Sequence, residues 1–145
     1  CPSVNTTIAF ASGGKRRLGI GISFPEFGIG WANTWMKVPP RNENEFAQPS
    51  QTVIFGDTGL VSNPQESNPD LWIEARSRPD FPYPVFFRCP APGDSFYTSH
   101  PQRVVPRHLG RATAAFWDGH AASVKNRSLG WEFPEGHPAA FWDRY

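Results

Sequence analysis

The sequence predicts a mainly β or α+β fold, in which a small antiparallel sheet carries long ordered loops. Its 145 residues include 16 Pro and 13 Gly, and these are spread along the whole chain. Because a proline inside a helix costs about 3 kcal/mol, this distribution nearly excludes long helices. Short apolar runs and one Asp-Gly turn signal favour strands instead. We therefore expect residues 1–145 to form one domain around that sheet.

The composition excludes several classes of protein. Hydrophobic residues make 39% of the chain and charged residues 19%, with a formal net charge of +1. This balance argues against a disordered chain and against a protein that coats nucleic acid. No apolar stretch approaches the roughly 20 residues that span a bilayer. The 12 Phe, 6 Trp and 3 Tyr are expected to pin the proline- and glycine-rich loops onto a small core.

The sequence of the N-terminal part favours loops over regular secondary structure. Residues 12–17 form a polar, glycine-containing loop, and residues 18–24 follow as a short apolar run. Residues 25–38 carry Trp31 and Trp35 among glycines, which is more typical of an aromatic-pinned loop or a single helical turn than of a strand.

Two short strands are predicted in the middle of the chain. Residues 52–55 have the β-branched, apolar composition of a buried strand, which Gly56 and Asp57 are expected to end. Residues 84–88 predict a second strand near an edge of the sheet, because prolines flank it. The polar, proline-containing residues 62–82 between them predict an excursion over the surface.

The clearest pattern surrounds Asp118-Gly119, within residues 107–121. An Asp-Gly pair between apolar stretches predicts a two-residue type I′ turn, in which both central residues need positive φ. Such a turn sets Trp117 opposite His120 and position 115 opposite position 122. Along the first arm, positions 112, 114 and 116 would share one face and positions 113, 115 and 117 the other.

Pairing between the two best-predicted strands brings charged residues together. If residues 52–55 pair antiparallel with residues 112–117, Asp57 falls beside Arg107 and His108. The result would be a buried or half-buried ion pair, which gives His108 a structural role.

Cys1 and Cys89 predict a disulfide bond. The bridge would close a loop of about ninety residues and contribute about 4–5 kcal/mol in the loop-entropy model. It would imply an oxidising compartment outside the cytoplasm. Two alternatives stay open, namely a lipid-carrying N-terminal cysteine and two buried thiols. Two cysteines are too few for a four-thiolate zinc site.

Four short motifs occur in order along the chain. Cys1-Pro2-Ser3 comes first, residues 49–57 read Pro-Ser-x-Thr and end in Asp, and Trp142-Asp143-Arg144 lies near the end. Between them, Arg107-His108 is followed by nine residues and Asp118-Gly119. As a set, these motifs resemble the C-terminal globular region of bacterial prepilin-type proteins, which carry a His, nine-residue, Asp-Gly signature. The resulting structural motif comprises Asp57, Arg107, His108, Asp118, Gly119 and His120.

The resemblance implies a pilin-like globular domain without its N-terminal helix. Members of that family resemble type IV pilins and pseudopilins, whose long apolar helix anchors the precursor in the membrane and forms a filament's core. The chain begins at Cys1 without such a helix, so we expect a fragment, an incompletely identified sequence or a variant that assembles without it. The implied role is an extracellular or cell-surface structural subunit that self-associates. Other pilin-like subunits and surface glycans are further expected partners, and nucleic acid is not.

No residues form a recognisable catalytic pattern. The sequence has no Gly-x-Ser-x-Gly elbow, and Ser99-His100 lacks an acid in a recognisable frame. We therefore expect no enzymatic activity and no cofactor. Asp118 and His120 are the weak candidates for a metal site, because the predicted turn makes them neighbours. A Ca²⁺ ion there would need further oxygens, from loops such as those of Asp57 or Asp94.

The alternative hypothesis is a cell-surface carbohydrate-binding module. Its sugar-stacking platform would consist of exposed tryptophans, with Trp31, Trp35, Trp72 and Trp131 as candidates. Ordered polymers in negative-stain images would favour the structural subunit. Retention on a polysaccharide column without polymers would favour the binding module.

Overall fold

The computed structural model describes residues 8–9, 15–16, 19–24, 27, 42–75, 86–92, 94 and 96–145. In this part of the chain the fold is mainly β, which confirms that part of the prediction. The strands are β1 (Ile8–Ala9), β2 (Lys15–Arg16), β3 (Ile20–Phe24), β4 (Val53–Leu60), β5 (Phe86–Arg88), β6 (Gln102–Val104), β7 (Ala112–Phe116) and β8 (Ala121–Val124). The described helix is α1 (Phe96–Ser99), and 3₁₀ turns cover Glu43–Glu45, Pro69–Leu71 and Asn126–Leu129. No helix among the described residues is long and apolar enough to cross a bilayer.

Six strands form one mixed sheet, in the order β5-β3-β4-β7-β8, with β6 paired to β4 outside this path. β1 and β2 pair separately. The prediction of an antiparallel sheet is wrong at one place, because β3 and β5 run parallel. Parallel neighbours need a long connection, and here the chain passes through β4 and residues 61–85 before it reaches β5. β5 does end the strand order, as its flanking prolines predicted.

Strand β4 continues beyond the predicted end at Gly56-Asp57. It runs to Leu60 because neither residue breaks the ladder. A Cβ atom on Gly56 would lie 2.9 Å from Val104 Cγ2, so this glycine permits close packing of β6. The carboxylate of Asp57 is buried and paired inside the fold.

The β7–β8 hairpin forms, but its register differs by one residue from the prediction. Ala115 pairs with Ala121, not with position 122. Phe116 donates its N–H to the His120 carbonyl at 2.9 Å, and Gly119 donates to the Phe116 carbonyl at 3.0 Å. Gly119 has φ of 91°, whereas Asp118 does not have positive φ. The turn is therefore a three-residue loop with a glycine bulge, which an Asp-Gly pair suits equally well.

The turn with two positive-φ residues lies at Leu109-Gly110 instead. Their φ angles are 51° and 76°. His108 and Arg111 flank them and exchange N–H···O bonds of 2.8 and 3.0 Å. This tight turn connects β6 to β7, which both run antiparallel to β4, and it fixes where Arg107 and His108 lie.

The hydrophobic core covers one face of the sheet. Positions 112, 114 and 116 of β7 share one face, as predicted, and all three are buried there. Trp142 is fully buried, and its Nε1–H donates to the Gly130 carbonyl at 3.0 Å. The core cluster includes Val53, Val61, Phe87, Val104, Phe116, Leu129, Trp131, Ala140 and Trp142. The C-terminal segment thus closes the core against this face.

Candidate functional site

Asp57 lies at the point where β4 changes its partner strand. Gly56 still pairs with Ala114 of β7, whereas Thr58 pairs with Val104 of β6. At this junction the Asp57 carboxylate accepts the backbone N–H of Thr113 at 2.6 Å. The side chain therefore replaces a ladder bond that the diverging strands no longer make.

Arg107 joins this junction to two other segments. Its Nε donates to Glu74 Oε2 at 2.8 Å, and its Nη1 donates to the Gly19 carbonyl at 2.8 Å. Nη2 contacts both Glu74 Oε1 and the Thr58 carbonyl. Asp57 Oδ1 lies 3.9 Å from Nη1, and the arginine side chain is 4% exposed. Because two carboxylates and two carbonyls surround the guanidinium, its burial is electrically compensated.

His108 covers the outer side of Asp57. Its Nε2 lies 3.3 Å from Asp57 Oδ2, and its side chain is 41% exposed, against 3% for Asp57. We call Asp57, Glu74, Arg107 and His108 the Asp57 cluster. Asp57 lies close to Arg107 and His108, as the predicted strand pairing implied. Glu74 was missed, because it lies in an irregular segment without periodicity.

Replacing His108 with alanine is expected to lower the free energy of unfolding by about 1 kcal/mol. The half-exposed imidazole contributes one contact to a buried carboxylate, so the loss should be moderate. Urea denaturation measures it. The same replacement in an Asp57→Asn background isolates the pair, and a coupling energy near zero would contradict a structural role for His108.

Asp118, Gly119 and His120 lie at the other end of β7 and do not join the Asp57 cluster. Asp118 Oδ1 lies 2.6 Å from His120 Nδ1 and also accepts the His120 N–H at 3.1 Å. The hydrogen bond from the His120 side chain lowers the pKa of Asp118. The imidazole stacks on Phe116 with ring centroids 4.4 Å apart. These contacts give both side chains a role inside the turn.

The possible Ca²⁺ site gains no support from the described residues. They contain no group of three or more His, Cys, Asp or Glu side chains placed to hold a metal ion. Asp94, a suggested source of further oxygens, instead receives Arg88 Nη1 at 3.0 Å on both of its carboxylate oxygens.

The disulfide prediction concerns one residue outside the described part of the chain, Cys1. Cys89 is buried, with its Sγ 3.0 Å from Ser23 Oγ and 3.8 Å from the Trp142 carbonyl. The Cys1–Cys89 bond therefore stays a prediction.

Two of the four tryptophans expected in a sugar-stacking platform are buried. Trp72 is 7% exposed and Trp131 5%, and their ring centroids lie 6.1 Å apart in the interior. The expectation that these two rings are exposed is wrong, because they help to build the core. Trp31 and Trp35 lie outside the described residues.

A second buried polar cluster was not predicted from the sequence. Arg88 donates through Nε to Gln102 Oε1 at 3.1 Å in addition to its bonds with Asp94. Beside it, the guanidinium of Arg103 lies 3.5 Å from the centre of the Tyr97 ring. Burial lowers the pKa of Arg103 and raises the pKa of Tyr97. The sequence around Arg88 and Arg103 contains no pattern that predicts the burial of these arginines.

The sheet face opposite the core carries an apolar row that crosses four strands. Ile22 pairs with Phe55, Phe55 pairs with Ala115, and Ala115 pairs with Ala121. Directly opposed residues point to the same side of a sheet, so the four side chains line up. Phe55 is 41% exposed, and Ile20 beside the row is 59% exposed. We call these five residues the outer row.

The fold and its sites thus define a small mixed β domain with internally paired charges and an exposed apolar row. Comparison with protein-family models, with curated proteins and with solved structures finds no match to this chain.

Proposed function

We propose that this chain is a structural subunit, a pilin-like or pseudopilin-like globular domain that self-associates outside the bacterial cell or at its surface. The observation that supports the proposal is the outer row. An apolar row that continues across four strands of one sheet face is characteristic of a surface that another molecule covers. We take that molecule to be a second copy of the chain.

The inward direction of the polar contacts also supports a structural role. Arg107 and Arg88 use their donors on carboxylates, a side-chain amide and backbone carbonyls. Asp57 accepts the Thr113 N–H and lies within ion-pair distance of Arg107 and His108. These charged groups bond to other groups of the same chain. The apolar outer row is therefore the surface that we assign to association.

Replacing Phe55 with lysine is expected to weaken self-association by at least about tenfold. The change places a charge at the centre of the outer row, and a buried unpaired charge is costly in an interface. Sedimentation velocity over a range of concentrations measures the effect.

Leu71→Lys is the matched control for Phe55→Lys. Leu71 is 57% exposed and lies on the 3₁₀ turn Pro69–Leu71, away from the outer row. It should associate as the unchanged chain does. An unchanged distribution of oligomers in Phe55→Lys, in a variant that still unfolds cooperatively, would overturn the proposed surface.

A further inference from the structure

Strand β8 leaves its outer edge unpaired among the described residues. It is the last strand in the order β5-β3-β4-β7-β8. The hydrogen bond from the Phe116 N–H to the His120 carbonyl shows which β8 residues have their backbone groups bonded to β7. Bonded pairs alternate along an antiparallel ladder, so Ala122 and Val124 face β7 with their backbone groups. The backbone N–H and C=O groups of Ala121 and Ser123 therefore point away from the sheet.

The β8 edge has few of the features that usually prevent strand pairing. Its sequence, Ala121–Val124, contains no charge and no proline, and the β7–β8 register has no bulge. The exposed side chains, Ala121 and Ser123, are small, so another backbone can approach. One acceptor is covered, because Arg111 donates from Nη2 to the Ser123 carbonyl and from Nε to Ser123 Oγ. Pairing would have to displace this exposed side chain.

The charges at the two ends of β8 indicate which partner fits. Exposed Asp118 precedes the strand, and exposed Lys125 follows it. Antiparallel pairing of two copies through their outward groups sets Ala121 opposite Ser123. That register places Lys125 opposite Gly119 of the second copy, next to its Asp118. Parallel pairing would instead align like charges, which is unfavourable.

We propose that two copies of this chain pair antiparallel along β8, across a two-fold axis centred on Ala122. The six-stranded sheets become one continuous sheet, and the two outer rows meet, since Ala121 is the last residue of each row. This inference rests on the proposed self-association and adds an edge contact to it, because pairing along β8 extends the outer row without covering it. Phe55 lies on β4, two strands from this edge, so Phe55→Lys should weaken assembly beyond the dimer and leave the β8 pairing intact. A closed two-fold contact of this kind yields a dimer, which is the unit that further contacts would assemble.

Amide hydrogen exchange tests this pairing directly. In a concentration series followed by NMR, exchange at the Ala121 and Ser123 amides is expected to slow at least about tenfold as the chain associates, because these N–H groups acquire acceptors. The amides of Ala122 and Val124 already face β7 and should change less. Association with unchanged exchange at Ala121 and Ser123 would overturn the β8 inference alone. A chain that stays monomeric would overturn the proposed function as well.

Charged edge variants give a second readout. Ala121→Lys combined with Ser123→Lys sets lysines opposite one another across the proposed axis and should abolish the dimer in sedimentation velocity. The control is Thr113→Lys, because Thr113 is exposed on the same face of β7 but lies away from the edge. Dimers that persist in the double variant would contradict the pairing, as would their loss in the control alone.

Discussion

Replacing Arg107 with methionine is expected to lower the free energy of unfolding by about 3–5 kcal/mol. Methionine keeps the apolar part of the side chain but leaves Asp57 and Glu74 without their shared cation. The Asp57 side chain is 3% exposed, so water does not restore the lost interaction. The Gly19 and Thr58 carbonyls also lose a donor. Urea denaturation monitored by tryptophan fluorescence measures the change.

Arg111→Met is the matched control for Arg107→Met. Arg111 lies on the same short hairpin, but it is exposed and bonds to Ser123. Its replacement should cost less than about 1 kcal/mol, as is usual for exposed polar contacts. Equal losses for the two arginines would contradict the account of Arg107 as the residue that holds the Asp57 cluster together.

Replacing Gly130 with alanine is the second change with a large expected effect, a loss of about 3 kcal/mol or more. Gly130 has φ of 73°, and an added Cβ would lie 1.8 Å from the Ala139 carbonyl oxygen. That neighbour is backbone and cannot rotate away. Because the Gly130 carbonyl accepts the Trp142 indole N–H, any displacement also disturbs a fully buried core tryptophan. Thermal unfolding followed by circular dichroism measures the loss.

Gly136 provides the control for this prediction. Its φ is 84°, but an added Cβ meets nothing within 4 Å. Gly136→Ala should therefore cost only the strain of a left-handed alanine, about 1 kcal/mol. If Gly136→Ala destabilises as much as Gly130→Ala, the close approach of Ala139 is not the cause.

The part of the fold that depends on local pattern could be predicted from the sequence. Alternation along residues 112–117 and the composition of residues 52–55 sufficed to pair two strands, and that pairing placed Asp57 near Arg107 and His108. The turn register could not be predicted, because Asp118-Gly119 satisfies both a two-residue turn and a three-residue turn with a bulge.

Features that depend on distant parts of the chain were not predictable in the same way. The parallel pairing of β3 and β5 arises from a long connection whose path has no local signal. Glu74 reaches Arg107 across 33 positions from an irregular segment. Trp72 and Trp131 are as compatible with an exposed platform as with a core until their packing is known. The amino-acid composition gives the number of aromatic residues but does not show whether their rings face the core or the solvent.

Sedimentation velocity of the purified chain over a wide concentration range tests whether this chain is a self-associating structural subunit. A self-associating subunit should grow with concentration from monomer to dimer and larger species, and the concentrated sample should show ordered polymers in negative-stain images. A single monomeric species at every concentration, retained on a polysaccharide column, would overturn the proposed function and favour the carbohydrate-binding alternative.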